Sequence, residues 1–279
     1  MNTAPNRLPT VDFCGTPISR LIIGGNPFSG NSHQNAQLDA EMEDYFTTQR
    51  IKETLWRCLD NGIDTMQLRG DKHIMRILRE FRLEGGRMHW IGQTATEMTP
   101  YENNVRMIKN NGAFALYHHG TLTDSLFKEG RYDEIERRLR VIRESGMAVG
   151  LGSHMPEVFE HAEKHRWDVD FYMCCVYNIS KIARVSSAVT GQANTDEPFD
   201  EEDRQIMFSF IRSTAKPCLA FKILGAGRRC ATETDIAAAF TEAYASIKPG
   251  DACIVGMFPR DSDQVRENAA LVRKVLAGA

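Results

Sequence analysis

The sequence predicts an α/β fold, a (β/α)8 barrel in which parallel strands alternate with helices. Apolar runs of strand length alternate with amphipathic stretches of helical length, and this cycle occurs eight times. The length of 279 residues also suits a barrel of this kind, which typically takes about 250 residues. No Pro-, Gly- or Ser-rich stretch marks a boundary, so we expect one barrel domain over residues 1–279, with an N-terminal hairpin.

Composition points to a small molecule as the partner. The formal net charge of -3 gives no electrostatic reason to expect nucleic acid or an anionic membrane. No apolar segment approaches the ~20 residues that span a bilayer, and residues 1–20 lack the apolar core of a signal peptide. The seven cysteines form no C-x-x-C pair, which is typical of reduced thiols in a cytoplasmic protein. The oligomeric state is left open.

The predicted strands and helices follow one another along the chain. Strand 21–23 ends at Gly24-Gly25-Asn26-Pro27, and the polar residues 29–46 that follow predict a lid or binding loop. The other predicted strands are 63–66, 88–94, 113–118, 147–151, 169–174, one beginning at Cys218, and 252–255. The predicted helices are 47–60, 71–84, 98–110, 130–144, 155–165, 200–213, 232–246 and 262–276, with a long polar connection over 178–198.

One strand carries a lysine at its carboxyl end. The apolar run from Cys218 breaks at Lys222 and continues into Gly225 and Gly227, the profile of a buried parallel strand followed by a tight, ligand-facing turn. One interpretation is a stem packed under a loop, with the charge reaching solvent. The other places Lys222 in a functional cavity as a phosphate or carboxylate partner, an acid/base group or an imine-forming nucleophile.

Functional residues of such barrels gather at the carboxyl ends of the strands. The candidates at these positions are Asn26, Asp64, Arg69, Gln93, His118, His119, His154, Tyr177, Asn178 and Lys222. Strand alternation sends one of His118 and His119 towards the cavity and the other outwards. Asp64 and His154 are also suited to capping turns or helices. Alternatively, Asp64, His118 or His119, and His154 provide one carboxylate and two imidazoles for a divalent metal.

At this point the chain resembles the aldo-keto reductases along nearly its whole length. The segments 15–21, 61–65, 149–157 and 177–178 are similar to that family's hairpin with its first strand and to its second, fifth and sixth strands. Segments 221–227 and 264–268 resemble the two that hold the phosphates and adenosine of a nicotinamide dinucleotide. The resemblance implies Asp64 and a histidine in the catalytic tetrad, and NAD(P) as cofactor. The cofactor-binding residues would be Gly225, Gly227, Arg228, Arg260, Gln264 and Asn268.

The reductase chemistry carries over less well than the fold. Arg69 stands where the family has its proton-donating tyrosine, and a guanidinium does not release its proton near neutral pH. Gln93 or Thr94 stands in place of the family's lysine. Where the family has a Ser-Asn pair that binds the nicotinamide amide, this chain has Gly152-Ser153. Ordinary reductase activity is therefore not expected.

Three functions remain as hypotheses. The first is an aldo-keto-reductase-like enzyme of carbohydrate metabolism that performs lyase or isomerase chemistry, with or without a metal, on a small polar carbonyl or carbohydrate-like substrate. It assigns catalysis to Asp64, Arg69, His118, His119 and Lys222, substrate binding to Asn26, Gln93, Tyr177 and Asn178, and any metal to Asp64, His118 and His154. The second is an NAD(P)-dependent oxidoreductase with a rewired tetrad, and the third is a non-catalytic binding barrel.

Overall fold

A parallel barrel forms the centre of the molecule. The computed structural model describes residues 7–182, 190 and 196–278, and among these residues eight parallel strands close in the order β10-β3-β4-β5-β6-β7-β8-β9. The barrel strands are β3 Leu21–Gly24, β4 Thr65–Arg69, β5 His89–Gln93, β6 Ala115–His118, β7 Ala148–Ser153, β8 Phe171–Cys175, β9 Cys218–Phe221 and β10 Ala252–Gly256. The predicted fold class is confirmed, and the chain is a TIM-barrel protein.

An antiparallel hairpin closes the amino-terminal end of the barrel. It pairs β1 Thr10–Phe13 with β2 Thr16–Ser19. Phe13 and Ile18 of this hairpin are fully buried in the same apolar cluster as the inward-facing residues of the barrel strands. The Phe13 ring lies edge-on to Phe171, with 4.9 Å between ring centroids. The interior is thus filled at this end, which leaves the carboxyl end for a cavity.

Helices cover the outside of the barrel, and their apolar faces bury a second, larger core. They are α1 Ala36–Tyr45, α2 Thr48–Asp60, α3 Lys72–Leu83, α4 Tyr101–Asn110, α5 Gly120–Lys128, α6 Tyr132–Glu144, α7 Pro156–Lys164, α8 Glu202–Ser213, α9 Glu233–Ser246 and α10 Gln264–Ala277. In α3, for example, Ile74, Leu78 and Phe81 recur at helical spacing and are buried. The Asp71 side chain caps its first turn by accepting from the Ile74 N–H.

Two unexpected helices and the start of one strand are the departures from the prediction that affect the site. The predicted loop 29–46 contains α1, and α5 follows the fourth barrel strand directly, where no helix was expected. Strand β4 begins at Thr65 and not at Ile63. Much of the predicted connection 178–198 lies outside the described residues. In the part of the chain that the structure describes, no helix combines the length and apolar character needed to cross a membrane.

Candidate active site

A small polar chamber lies at the carboxyl end of the barrel. Its volume is about 80 Å³, enough for a few heavy atoms. Its wall combines residues from five barrel strands with others from the loops that follow the strands. The polar wall residues are Asn26, Ser29, Asn31, His33, Gln67, Arg69, Gln93, Tyr117, His119, Thr121, His154 and Lys222. Asn26, Arg69, Gln93, His119, His154 and Lys222 thus meet in one cavity, as the sequence predicts.

A buried histidine and aspartate form the best-defined polar network in this region. His154 follows β7, and its Nδ1 lies 2.7 Å from Asp124 Oδ2. The hydroxyls of Ser153 and Ser180 donate to the same carboxylate, each at 2.5 Å. A carboxylate only accepts, so Nδ1 carries the hydrogen and Nε2 is left to gain or lose a proton. His154 belongs to the chamber wall, whereas Asp124 lies outside it.

Asp124 is ionised in this network. Burial alone would raise the pKa of this carboxyl, but the positive charge and hydrogen bond of His154 and the hydroxyls of Ser153 and Ser180 outweigh burial, and the pKa lies below its usual value. Sequence reasoning missed Asp124 because α5 was not expected. The available signal was a single acidic residue in the otherwise small or apolar run 120–127.

We expect the contribution of Asp124 to stability to depend on pH. The folded-state pKa is below the unfolded value of about 3.9, so the stabilisation is present above that value and is lost as the pH falls through the folded-state pKa. Asp124→Asn should lower the free energy of unfolding by about 1.5–3 kcal/mol at pH 7, the usual worth of hydrogen bonds to a charged group. Urea unfolding at pH 7 and pH 3 should show a smaller difference from wild type at pH 3. The exposed Glu136→Gln serves as control, and an equal difference for Asp124→Asn at both pH values would contradict the assignment.

Tyr117 forms the floor of the chamber. It is the last residue of β6 whose side chain points into the barrel. Its hydroxyl accepts a hydrogen bond from Gln67 Nε2 at 2.9 Å and lies beside the Gln93 amide. Burial raises the pKa of Tyr117 well above its usual range, so the phenol stays neutral. Gly152 allows this packing, because a Cβ at that position would lie 2.9 Å from the Tyr117 ring. The chamber therefore has a neutral hydrogen-bonding floor.

Two cations reach the chamber from different sides. Arg69 is 8% exposed and forms ion pairs with Glu97 and Asp71, so much of its charge is compensated. Lys222 lies directly after β9 with a backbone φ of 61°, a conformation unusual for a residue with a side chain. Its Nζ is inaccessible to solvent and lies 5.8 Å from the centroid of the Phe199 ring. The interpretation of Lys222 as a cavity residue is therefore favoured over one with its charge in solvent.

The two adjacent histidines have different environments. His119 lies in the chamber wall, whereas His118, the last residue of β6, faces the layer between barrel and helices. There His118 Nδ1 lies 2.8 Å from Thr123 Oγ1, and burial lowers the pKa of His118 to about 3. His118 is therefore neutral and lies outside the chamber. Its predicted roles in catalysis and metal binding are corrected accordingly.

Asp64 lies at the opposite end of the barrel. It precedes β4, and its Oδ1 accepts from the Ser19 N–H at 2.8 Å and from the Thr65 hydroxyl at 2.6 Å. Asp64 therefore ties the hairpin to the amino end, and the prediction of a catalytic or metal-binding Asp64 is wrong. Asp64, His118 and His154 do not meet, so they do not fit a metal site. No cluster of three or more His, Cys, Asp or Glu residues with metal-binding geometry occurs in residues 7–182 and 196–278.

The chamber shares part of its wall with a larger groove of about 880 Å³. The groove runs over the carboxyl ends of β9, β10 and β3 and past the N-termini of α9 and α10, and Lys222 and Gln67 belong to both cavities. Of the predicted cofactor-binding residues, Gly227, Gln264 and Asn268 lie in its wall.

Three other predicted cofactor-binding residues lie outside that wall. Gly225 is buried in the short turn after Lys222. Arg228 donates to the backbone carbonyls of Gly225 and His33 and stacks on Phe199, with its guanidinium carbon 3.7 Å from the ring centroid. Arg260 is engaged by Glu41 and Asp261. The predicted cofactor-binding role of these three residues is therefore corrected. Gly225 is packed inside a turn, and the guanidinium groups of Arg228 and Arg260 are bound to neighbouring loops and do not line the groove.

Tyr177 and Asn178, predicted to bind substrate, lie outside both cavities. Strand β8 ends at Cys175, and Tyr177 then packs against Arg204, whose Nη1 donates to the Tyr177 hydroxyl at 3.2 Å. The Asn178 N–H donates to Asp203 at 3.0 Å. These two residues support the loop behind Lys222, and their predicted role is corrected.

A second histidine and carboxylate pair lies above the chamber. His33, in the segment after β3, contributes to the wall of both cavities. Its Nδ1 lies 2.7 Å from Glu197 Oε2, and the Glu197 side chain is only 1% exposed. The Asn26 side-chain amide lies 3.0 Å from His33 Nε2. Sequence reasoning placed His33 in a binding loop without assigning it a role.

Comparison with known proteins does not extend what the geometry of the fold and the site shows. No protein-family model matches the chain, and no curated protein matches it. Similar solved structures include a FabK mutant from Thermotoga maritima (13% identity, 88% of this chain, 62% of that chain, TM-score 0.44). Another is a putative deoxyribose-phosphate aldolase from Coccidioides immitis (12% identity, 82% of this chain, 80% of that chain, TM-score 0.48). A third is the aldolase QR15 (10% identity, 83% of this chain, 90% of that chain, TM-score 0.47). The chain thus spans less than two thirds of the FabK mutant, and no chemistry is transferred at these identities.

Proposed function

We propose that this protein is an acid/base enzyme that moves a proton next to a carbonyl group of a small polar, carbohydrate-like compound. The observation that supports this best is the His154–Asp124 pair, whose histidine lines a chamber that Lys222 also lines. A buried carboxylate behind Nδ1 fixes the tautomer and stabilises the imidazolium that forms when Nε2 takes up a proton. Proton transfer at carbon, as in lyases and isomerases, needs such a group.

The chamber supplies partners for the oxygen as well as for the proton. When Nε2 of a histidine removes the proton from the carbon beside a carbonyl, the C–H electron pair moves into the carbonyl group and negative charge develops on its oxygen. Lys222 provides a positive charge and Tyr117 a neutral hydroxyl at the same cavity. Arg69, Gln93 and Asn26 offer donors for substrate hydroxyls. His119 adds a further titratable group to the wall.

We also propose that the chain is a divergent relative of the aldo-keto reductases. The hairpin at the amino end of the barrel agrees with this resemblance. The residues that would carry out hydride transfer do not agree with it. Where the family has its catalytic tyrosine and lysine, the polar side chains at the ends of β4, β5 and β6 include Gln67, Arg69, Gln93 and Tyr117. An incomplete hydride-transfer set beside a polar chamber supports chemistry other than carbonyl reduction.

Deuterium uptake from solvent tests the proposed function. The protein is incubated in D2O with D-glyceraldehyde, L-glyceraldehyde, D-glucose, D-mannose, D-fructose and D-psicose, and hydrogens on carbons next to the carbonyl are followed by proton NMR. We expect at least one compound to lose such a signal faster with native protein than with heat-denatured protein or buffer. If no compound in this panel is labelled, the proposal is wrong.

The groove supports a second candidate, an NAD(P)-dependent oxidoreductase. Its volume of about 880 Å³ suits a nucleotide-sized ligand, and Gly227, Gln264 and Asn268 lie in its wall. The charges do not single out a diphosphate, because Arg228 and Arg260 are engaged elsewhere, and the basic Lys222 and Lys274 of the wall are balanced by the acidic Glu233 and Glu267. We therefore derive no catalytic step through this cofactor.

Nucleotide titration separates the candidates in the same protein preparation. NADH and NADPH are titrated while tryptophan fluorescence is recorded. Micromolar binding without deuterium uptake would favour the oxidoreductase. Labelling of the panel without nucleotide binding would favour the acid/base enzyme. A rise in Tm with a panel compound, without labelling or nucleotide binding, would favour a non-catalytic binding barrel.

A further inference from the structure

We infer that the groove binds an uncharged apolar group that the substrate carries in addition to its polar carbonyl end. This inference rests on the proposed function and deepens it, because it names the substrate class. The substrate would be a carbohydrate-like carbonyl compound with an apolar substituent. Its carbonyl end would enter the chamber, and the substituent would lie in the groove.

Partly exposed apolar side chains from separate segments of the chain line the groove. Such side chains keep apolar surface in water, and a ligand that covers this surface gains free energy. They come from α1, from the end of β9 and the turn after it, from the segment after β10, and from α9 and α10. They are Leu38, Phe221, Leu224, Phe258, Ile236, Ala237 and Leu271. The groove thus offers an apolar wall that several elements build together.

The charged side chains of the groove wall balance one another. Apart from the titratable His33, they are the basic Lys222 and Lys274 and the acidic Glu233 and Glu267. Glu233, Glu267 and Lys274 are exposed to solvent, where water and salt screen their charges. An anionic ligand therefore gains no net attraction from this wall. The balance favours an uncharged group over a phosphate or a diphosphate.

Two adjacent residues connect the groove with the acid/base pair. Phe221, the last residue of β9, and Lys222 line both the groove and the chamber. The Phe221 ring lies 6.0 Å from the His154 ring, measured between the ring centroids. A ligand that packs on Phe221 is therefore one side chain away from His154. This proximity is why we assign the groove to a part of the substrate and not to a separate ligand.

The sizes of the two cavities indicate which part of the substrate each one holds. The chamber, at about 80 Å³, has room for a few heavy atoms, such as the reacting carbons and their oxygens. The groove, at about 880 Å³, is of the size that binds a whole small molecule. Most of the substrate surface would be buried in the groove. Binding energy from this unreactive part helps to hold the reacting carbons in the chamber.

A matched series of sugars tests the inference with the native protein. For each hexose of the panel, the free sugar is compared with its 6-O-benzyl ether and its 6-phosphate, and KM for deuterium uptake is measured by proton NMR. We expect the benzyl ether to have a KM about 10- to 100-fold below that of the free sugar, the usual effect of burying one phenyl group. The 6-phosphate should differ from the free sugar by less than about twofold. A 6-phosphate that gains more than the benzyl ether would contradict the inference.

A tryptophan placed in the groove tests where the apolar group binds. Ala237 lies in the groove wall on α9, whereas its exposed neighbour Ala238 lies outside the wall, so Ala238→Trp is the matched control for Ala237→Trp. Binding of the uncharged dye N-phenyl-1-naphthylamine is followed by its fluorescence, and folding by circular dichroism. We expect Ala237→Trp to weaken dye binding about tenfold or more and to abolish the KM advantage of the benzyl ether. Ala238→Trp should keep both. Retention of both by a folded Ala237→Trp would contradict the inference.

The sugar series also separates failure of this inference from failure of the proposed function. If free sugars are labelled and their benzyl ethers have the same KM, the proposed function stands and the inference is wrong. If neither the sugars nor their derivatives are labelled, the proposed function fails, and the inference about its substrate fails with it even where the dye binds.

Discussion

Replacing Lys222 by methionine is expected to reduce the rate of deuterium uptake by about 10²–10³-fold, the usual cost of removing one donor that stabilises a developing oxyanion. The side chain of methionine has a similar length, so the chamber keeps its shape while it loses the positive charge. The measurement is the labelling rate of the panel compound that wild type labels fastest. The exposed Lys164→Met on α7 is the matched control and should keep the wild-type rate.

The stability of the same variant shows whether the loss is chemical. Lys222 Nζ is buried, and methionine occupies a similar space with an unbranched, adaptable side chain. The unfavourable φ of 61° is the same for methionine. We therefore expect Lys222→Met to fold, with the circular dichroism spectrum of wild type and a single cooperative urea transition. Full labelling activity in a folded Lys222→Met would contradict the role assigned to this lysine.

Replacing Arg204 by methionine is expected to lower the free energy of unfolding by about 3 kcal/mol, the lower end of the range for breaking a buried ion pair. Arg204 is 1% exposed, and its Nη2 donates to Glu242 at 2.6 Å. Its Nη1 donates to the Ile223 carbonyl at 3.0 Å. The lower end applies because the Glu242 side chain is 28% exposed and keeps its ion pair with Arg229.

Urea unfolding at pH 7 measures this effect against a control on the same helix. Arg212→Met, an exposed arginine of α8 that donates only to the Ser246 carbonyl among the contacts described, should change the free energy by about 0.5 kcal/mol or less. Since Ile223 follows Lys222, the folded Arg204→Met should also label substrate more slowly. A difference between Arg204→Met and Arg212→Met of less than about 1 kcal/mol would mean that the buried ion pair contributes little.

The fold could be predicted because the sequence repeats one signal many times. Glycine or Asn-Gly signals end several helices, and short apolar strands follow them, so an error at one boundary does not change the architecture. The helix predicted over 71–84 is observed as Lys72–Leu83, and the strand predicted over 88–94 as His89–Gln93. The closed order of the strands then follows from the handedness and adjacency of parallel units.

The position of a functional side chain depends on the exact residue at which one strand begins or ends, and the site was therefore predicted less successfully than the fold. Ile63-Asp64-Thr65-Met66 has the composition of a strand, but β4 begins at Thr65, and this shift of two residues moves Asp64 to the amino end of the barrel. The same strand instead brings Gln67 and Arg69 to the chamber. His118 and His119 could not be separated by sequence, because the end of β6 decides which of them still follows the strand alternation.

Asp124 and Glu197 show a different difficulty. Each is distant in sequence from the histidine that it orients, 30 residues from His154 and 164 residues from His33. No spacing pattern links such pairs, because only the closure of the barrel and the packing of α5 and the segment before α8 bring them together. Polar residues at strand ends were therefore predictable, whereas the carboxylates behind them were not.

The wall that the chamber and the groove share has a consequence for inhibitor discovery. A fragment bound near Lys222 in the chamber and a second fragment bound in the groove would lie close enough for a short covalent linker. Joining two weak binders in this way makes the second contact intramolecular and raises affinity by about 10²–10⁴-fold when the linker matches the distance. Screening the two cavities separately, with Gln93→Leu to identify chamber binders because Gln93 lines the chamber and not the groove, is thus a direct route to a selective chemical probe.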